Sequence, residues 1–362
     1  MFIKHFKQIN KNDVGIAGGK GASLGEMVQA DMPVPPGFVI LVDVFDRFME
    51  ETDLGVEIAS IIKNINYKDI NSVDKASNQI RDLFHDVAMP KDLKKNFLAE
   101  FKKLKAKYVA VRSSATAEDS LVASWAGELE TYLNTTEETL IDNIKKCWSS
   151  LFTPRALFYA FEKGVFTINH QKKIRAQTCK KLRDCYPVNV AVVIQKMVQS
   201  DIAGICFTVH PVTEDRNQMV IEAGYGLGEA VVSGQITPDT YVVGKSSSTS
   251  LRGRSPKQSR GVPVGSPRSS RAAGFARDDL RIMDKNISKQ ERMIGRAKNG
   301  GVEWRSVPTD KQARQKLTDR QIGALAKMCQ KIEKHYKHPQ DIEWALEKDK
   351  FYITQSRPIT TL

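Results

Sequence analysis

Cysteine is scarce in this sequence, and the few cysteines lie far apart. The 362 residues include five of them, an odd number at wide spacings and without a Cys-x-x-Cys pair. This pattern argues against a disulfide framework and against a structural zinc site. We therefore predict reduced thiols.

Long apolar runs are missing as well. No stretch reaches the roughly 18 consecutive apolar residues that a membrane-spanning helix needs. The N-terminal segment MFIKHFKQINKNDVG has neither the apolar core nor the small-residue cleavage site of a secretory signal. We therefore predict a cytoplasmic protein without a membrane partner.

Acidic residues are too few to balance the basic ones, and the net charge is +13. Such an excess suggests a polyanionic partner, for example a nucleic acid. About half of it lies in residues 245–281, where nine lysines and arginines face two aspartates among nine serines. This composition buries too little apolar surface to offset its ordering entropy, so we predict a disordered basic insertion at about 246–280. A nucleic-acid-binding or partner-binding arm is the alternative for this segment.

The order of predicted elements indicates an α+β protein with two lobes. Glycine- and proline-rich turns alternate with helical patterns in the first part, and β-branched strands dominate from Val188 onwards. Capping boxes predict helices after Thr135 and after Thr318. We predict an N-terminal α/β lobe with glycine-rich phosphate loops over 1–195, a C-terminal lobe over 196–362, and a ligand cleft between them.

Charged and amide side chains recur where apolar strands end. They are Arg112 after VAV, Glu222 after MVI, Asp341 and Glu343 in DIEW, and Gln355 and Arg357 after FYIT. Side chains two residues apart on a strand point the same way, so Asp341 and Glu343 should share one face of the final hairpin. Buried charges of both signs need partners, and a nucleoside triphosphate with Mg²⁺ supplies both.

Three glycine-rich segments offer backbone N–H groups to phosphates. They are GGKG at 18–21, with Lys20 as a point charge, GELET at 127–131, and GYGLGEAVVSG at 224–234. No GxxxxGK[ST] motif occurs, which excludes a P-loop. GYGLGE lacks the final glycine and the strand–turn–helix context of a dinucleotide-binding fingerprint.

The same segments occur together in one known family. Residues 18–27, 33–40, 109–120, 123–134, 151–159, 221–239 and 341–358 resemble the N-terminal nucleotide-binding region of phosphoenolpyruvate synthase, which is related to those of pyruvate phosphate dikinase and rifampin phosphotransferase. The resemblance implies an ATP-grasp fold, in which two lobes clasp ATP and Mg²⁺. It also implies transfer of the β-phosphoryl group of ATP to a histidine on a separate domain, with AMP and phosphate as the other products.

The resemblance further implies roles for individual residues. Lys20 and Arg112 match phosphate-binding residues and form the implied catalytic set with Arg357, which would stabilise charge during transfer. Asp341 and Glu343 are the implied metal ligands. The other implied nucleotide contacts are Gly127 and Thr131 in GELET, Gln195, Met197 and Val198 in the hinge segment IQKMV, Glu222, and Gln355. Glu128 and Leu129 stand where the family commonly has two glutamines.

The family's phosphohistidine motif, of the type Gly-Gly-x-Thr-x-His, surrounds none of the six histidines. We therefore expect the acceptor to be a phosphohistidine carrier domain, either in trans or in a lost C-terminal half, with pyruvate as the ultimate acceptor. Two alternatives stay open. One is a rifampin phosphotransferase-like module with the same first half-reaction. The other is a non-catalytic protein that binds nucleic acid or a partner through the basic insertion.

Overall fold

A computed structural model of the chain describes residues 2–116, 129–162, 189–245 and 280–360, together with the backbone of two short strands at 119–120 and 123–124. Almost all of the predicted basic insertion, Gly127 and Glu128 lie outside the described residues.

The strands are β1 (Ile3–His5), β2 (Gly37–Ile40), β3 (Val109–Ala115), β4 (Asp119–Ser120), β5 (Ala123–Ser124), β6 (Thr131–Thr135), β7 (Val190–Lys196), β8 (Ile202–Phe207), β9 (Gln218–Tyr225), β10 (Asp239–Gly244), β11 (Arg281–Asn286), β12 (Arg292–Arg296), β13 (Val302–Ser306), β14 (Gln340–Glu347) and β15 (Lys350–Pro358). The α-helices are α1 (Val14–Gln29), α2 (Val42–Glu51), α3 (Leu54–Lys63), α4 (Ile70–Asp86), α5 (Lys91–Lys103), α6 (Leu140–Ser149), α7 (Pro154–Glu162), α8 (Glu229–Val232) and α9 (Asp319–Tyr336).

These strands form two main antiparallel sheets. The first has the order β1-β2-β7-β3-β6 and the second has the order β11-β10-β9-β8-β14-β15. Two short hairpins, β4–β5 and β12–β13, stand apart from them. Helices beside antiparallel sheets define the predicted α+β class.

Two apolar cores hold the sheets in place. One lies between the first sheet and helices α2 to α7, where the centroids of the Phe48 and Trp148 rings are 4.8 Å apart. The other joins the opposite face of the first sheet to α1, the second sheet and α9, and it buries Tyr241 and Trp344. Burying one such aromatic side chain contributes about 1.5–3 kcal/mol, so the second core stabilises the contact between the sheets.

The chain passes from the first sheet to the second between Lys196 and Ile202. The predicted lobe boundary at 195/196 falls beside this crossing. The division of the chain into two domains stays a prediction.

One of the two predicted capping boxes is present in the structure, and the other is not. The Thr318–Gln321 box is present at the start of α9, as predicted. The Thr135–Glu138 box is wrong, because α6 begins only at Leu140. Thr135 instead ends strand β6, and its hydroxyl oxygen accepts a hydrogen bond of 2.8 Å from the Asn143 amide.

The segment GGKG lies inside α1 and does not precede it. Gly18 has φ = +70° and kinks the helix. A Cβ atom on Gly18 would lie 2.1 Å from the Ser114 carbonyl oxygen of β3. The Gly21 N–H donates to the Ser114 hydroxyl over 3.1 Å. These glycines therefore let the α1 backbone touch β3.

Three cysteines, Cys147, Cys206 and Cys329, are buried free thiols, and the other two lie outside the described residues. Within the described ranges, none of the helices combines the length and apolar character needed to cross a membrane.

Candidate active site

A cavity of about 270 Å³ opens between the two sheets. Strands β3, β6 and β7 supply one wall, and β8, β14, β15 and α8 supply the other. The segment that connects the sheets closes one side. Six of the predicted site residues line this cavity: Arg112, Thr131, Gln195, Met197, Val198 and Glu343.

Arg112 is the central charge of the site. Strand pairing places it opposite Thr131 on β6 and Val193 on β7, and only 7% of its surface is exposed. Its guanidinium donates to the Glu343 carboxylate over 3.1 Å and to the Gln355 side-chain oxygen over 2.5 Å. Arg112 therefore bridges the two sheets.

A β-bulge adds a backbone acceptor to this bridge. In the β14–β15 ladder Glu343 faces Gln355, but the next pair is Trp344 with Ile353, so Thr354 is left without an opposite residue. Its carbonyl oxygen accepts from Arg112 over 2.7 Å. A bulge bends a strand and re-aims one residue, and here it aims a carbonyl at the guanidinium.

The hairpin register brings the predicted charges together in two rows. Asp341 lies opposite Arg357, and Glu343 lies opposite Gln355. Arg357 donates to one oxygen of Asp341, Oδ2, through Nε and Nη2, over 2.9 and 2.8 Å. The predicted arrangement of the hairpin, with its charges on one face, is confirmed.

The second oxygen of Asp341, Oδ1, is buried and has no hydrogen-bond partner within the described part of the chain. Burial raises the pKa of Asp341, and Arg357 opposes this shift while Glu343 adds to it. Burial also raises the pKa of Glu222, with repulsion from Asp341 as the second cause. Glu222 lies in the row of Glu343, two strands away across Ile205. The site therefore concentrates negative charge beside its arginines.

Other predicted site residues stand outside the cavity lining. Lys20 lies half-buried on α1, near enough to Cys147 to oppose the burial that raises the pKa of that thiol to about 12. Gln355 is not a lining residue itself, but it contacts Arg112, which lines the cavity. Asp341 and Arg357 form the next row of the hairpin.

Thr354 and Glu229 are two of the lining residues that the sequence predictions missed. Thr354 gave no signal, because a bulge depends on how two strands pair. Glu229 begins α8 and lines the cavity, and burial raises its pKa. A carboxylate inside the glycine-rich segment GYGLGEAVV was the available signal for Glu229.

A pocket between two sheets, lined by apolar side chains with an arginine and two carboxylates, is typical of a small-molecule or cofactor site. The chain belongs to the pyruvate phosphate dikinase family through its AMP/ATP-binding domain, whose family model matches residues 14–362. The family membership expected from the motifs is confirmed.

Curated relatives extend this result to particular enzymes. A probable phosphoenolpyruvate synthase of Methanocaldococcus jannaschii is 40% identical, over 100% of this chain and 27% of its own length. The phosphoenolpyruvate synthase of Pyrococcus furiosus is 37% identical, over 100% of this chain and 44% of its own. The rifampicin phosphotransferase of Bacillus subtilis is 34% identical, over 98% of this chain and 35% of its own. The chain thus spans less than half the length of these relatives.

Proposed function

We propose that this chain is the ATP-binding, phosphoryl-donating part of a phosphoenolpyruvate synthase-like dikinase. In this proposal the chain has an ATP-grasp fold whose lobes, 1–195 and 196–362, clasp Mg-ATP. The β-phosphoryl group of ATP passes to a histidine of a carrier domain, with AMP and phosphate as the other products. The observation that carries the proposal is the Arg112 bridge with its row of carboxylates at the wall of the cavity between the sheets.

The connecting segment supports a place for the adenine base. The Lys196 N–H donates to the Pro36 carbonyl over 2.8 Å, and the Asp201 N–H donates to the Leu346 carbonyl over 2.8 Å. Between these anchors, Met197, Val198 and Ser200 line the cavity. Leucine, valine and tryptophan side chains face them, namely Leu129, Leu133, Leu227, Val232 and Trp344. A flat apolar base fits between such walls, while its polar edge meets the connecting backbone.

The polar end of the cavity suits the phosphates. Arg112 is held by acceptors from both sheets, so little side-chain entropy remains to be lost when a phosphate binds. Arg357, 40% exposed, is anchored by Asp341 and reaches solvent at the same end of the hairpin. We assign Arg112 to the phosphates and Arg357 to the charge that develops during transfer. We assign Lys20 to the phosphates as well, with Gly127 in the loop that precedes Thr131.

The carboxylates fit a magnesium ion. Asp341 Oδ1, buried and without a partner among the described residues, is the kind of oxygen that Mg²⁺ prefers, and Glu343 follows on the same face. The described residues contain no group of three metal-ligating side chains, which agrees with an ion that takes its other oxygens from phosphate and water. Bound there, Mg²⁺ would neutralise phosphate charge. Glu222 would add negative charge beside the pair.

Phosphoryl transfer depends more on positioning and charge neutralisation than on covalent chemistry by the protein. In this chain, the Arg112 Nη1 group donates to the Gln195 side-chain oxygen and to the Thr354 carbonyl, and Nη2 donates to the Gln355 side-chain oxygen. The residues thus orient the cation before the nucleotide arrives.

The test is calorimetric titration of ATP into the purified chain, with and without Mg²⁺. We expect metal-dependent binding that weakens at least about 100-fold in Arg112→Ala, because two or more charge-assisted hydrogen bonds are lost. Arg216→Ala, which removes an exposed arginine outside the cavity lining, is the matched control. Equal affinity in wild type and Arg112→Ala, with both folded by circular dichroism, would disprove the proposal.

The acceptor is tested separately. Incubation with ATP labelled at the β-phosphorus and a histidine carrier domain from one of the relatives should transfer label to that domain. The rifampicin phosphotransferase relative makes a carrier of that type the second candidate, with the same first half-reaction. Metal-dependent ATP binding without transfer to either carrier would overturn the phosphoryl-donor role and leave the ATP site standing.

A further inference from the structure

A second cavity, of about 630 Å³, lies on the other side of the segment that connects the sheets. Residues 199–202 and the end of β9 form its floor, the hairpin β12–β13 forms one side, and the loop at 307–315 forms the other. It is larger than the cavity between the sheets and has room for a small organic molecule.

Its lining is strongly basic. Arg296, Arg305, Lys311 and Arg314 line it, and Asp201 is the single carboxylate among the described lining residues. The Asp201 side chain already accepts a hydrogen bond of 3.0 Å from the Lys348 N–H. The cavity therefore carries an excess of positive charge, which low-dielectric walls focus on its interior.

The four basic side chains differ in the contacts that hold them in place. Arg305 contacts Glu303 over 2.6 Å, and Arg314 lies 3.3 Å from Asp310 in a pair whose side chains are both exposed. Arg296 lies over the Tyr108 ring, 4.8 Å from its centroid. Lys311 has no ion-pair partner among the described residues. Exposed ion pairs contribute little to stability, so Lys311 and Arg314 can reorient towards an anion with little loss of free energy.

Apolar side chains complete the lining and separate the two cavities. Met293, Val307 and Pro308 face the basic groups. Leu227 and Ile294 pack together in a small apolar cluster, against which Met197 and Leu133 of the first cavity pack from the other side. The Leu227 N–H donates to the Ile294 carbonyl over 2.9 Å, which ties the hairpin to this wall. A ligand bound in this cavity would therefore contact the apolar cluster that also forms part of the wall of the first cavity.

We propose that this cavity is a second ligand site, for a small phosphorylated anion, distinct from the cavity between the sheets. The basic side chains bind its phosphate groups, and the apolar wall accepts a carbon skeleton. Inorganic diphosphate and organic bisphosphates both carry the phosphate groups that these basic side chains would bind. The assignment does not require that the first cavity bind ATP.

The experiment measures binding of pyrophosphate and of fructose 1,6-bisphosphate by calorimetry to the full chain that carries Arg112→Ala, so that the first cavity contributes little. We expect binding that Lys311→Ala with Arg314→Ala weakens at least about tenfold, which corresponds to about 1.4 kcal/mol. The matched control is Lys298→Ala with Arg320→Ala, which removes one lysine and one arginine that are exposed and outside this lining. The control should change the affinity less than about twofold, as is usual for screened surface charges.

Stronger binding of the organic probe than of pyrophosphate would support the role of the apolar wall. The proposal is overturned by absence of binding of both probes. It is also overturned if the control variant loses as much affinity as the cavity variant, because the effect would then be one of net charge.

Discussion

Two clusters of buried charge, one at the start of β10 and one where the final hairpin meets the first sheet, are built in opposite ways. At the start of β10, Asp239 pairs with Lys316, and both side chains are 0% exposed. One Asp239 oxygen accepts from the Lys316 ammonium and the Ser288 N–H, and the other accepts from the Lys316 N–H and the Tyr241 hydroxyl. Every oxygen of this carboxylate is satisfied, so we call it the closed cluster.

The open cluster lies at the cavity, where Arg112 of the first sheet meets the final hairpin with Asp341, Glu343, Gln355 and Arg357. Here Asp341 uses one oxygen for Arg357 and leaves the other buried without a partner, and the Arg112 Nε is likewise buried and unbonded within the described ranges. Buried polar groups are almost always satisfied in native proteins, so such exceptions call for an explanation. The closed cluster anchors a loop to the sheet, whereas we propose that the open cluster binds a ligand.

The largest effect is expected in the closed cluster. Lys316→Ala leaves the Asp239 carboxylate buried without its counter-charge, and removing one partner of a buried ion pair typically costs about 3–5 kcal/mol. The free energy of unfolding, measured by urea denaturation, should fall by about this amount. A loss below about 1 kcal/mol would contradict the structural role given to this cluster.

Asp341→Asn should behave in the opposite way. Burial raises the pKa of Asp341 in the folded chain, so the folded state binds this proton more tightly than the unfolded state. The carboxylate therefore costs no stability below its unfolded pKa, and the cost grows as pH rises to the raised folded pKa. The variant should match or exceed the wild type in Tm at neutral pH while it loses the Mg²⁺ dependence of ATP binding.

The measurement for Asp341→Asn is thermal unfolding from about pH 4 to about pH 8, beside titration of ATP with and without Mg²⁺. The difference in Tm between variant and wild type should shrink as pH is lowered. Asp239→Asn, in the closed cluster, is the matched control and should lower the Tm. A clear loss of stability in Asp341→Asn at neutral pH would remove the distinction between the clusters.

The smallest effect is expected at an exposed pair. Lys285 and Asp319 form an ion pair on the surface, with side chains 31% and 66% exposed. Solvent and salt screen such pairs, so Lys285→Ala should leave the midpoint of urea denaturation unchanged within error. A loss comparable to that of Lys316→Ala would show that pairing itself, and not burial, controls the effect.

Local patterns explain which parts of the fold could be predicted. The hairpin of Asp341 to Pro358 follows from alternating side chains on two strands joined by a tight turn, all within eighteen residues. The Thr318 cap depends on a side chain three residues away, at Gln321. The Thr135–Glu138 pair fits the same Ser/Thr-x-x-Glu/Gln pattern but forms no cap, because Thr135 is held in β6 by pairing with Val109 on β3. At Thr135, strand pairing with a residue distant in the sequence overrode the local preference for a helix cap.

The sequence by itself determined the family, the α+β class and the list of charged residues at strand ends, because each is carried by residue type and short spacing. Tertiary structure decided which of those charges meet. Arg112 reaches Glu343 and Gln355 across separations of 231 and 243 residues, and Asp239 meets Lys316 across 77. Whether a buried oxygen is satisfied depends on such long-range distances, and for that reason only the folded chain distinguishes the closed cluster from the open one.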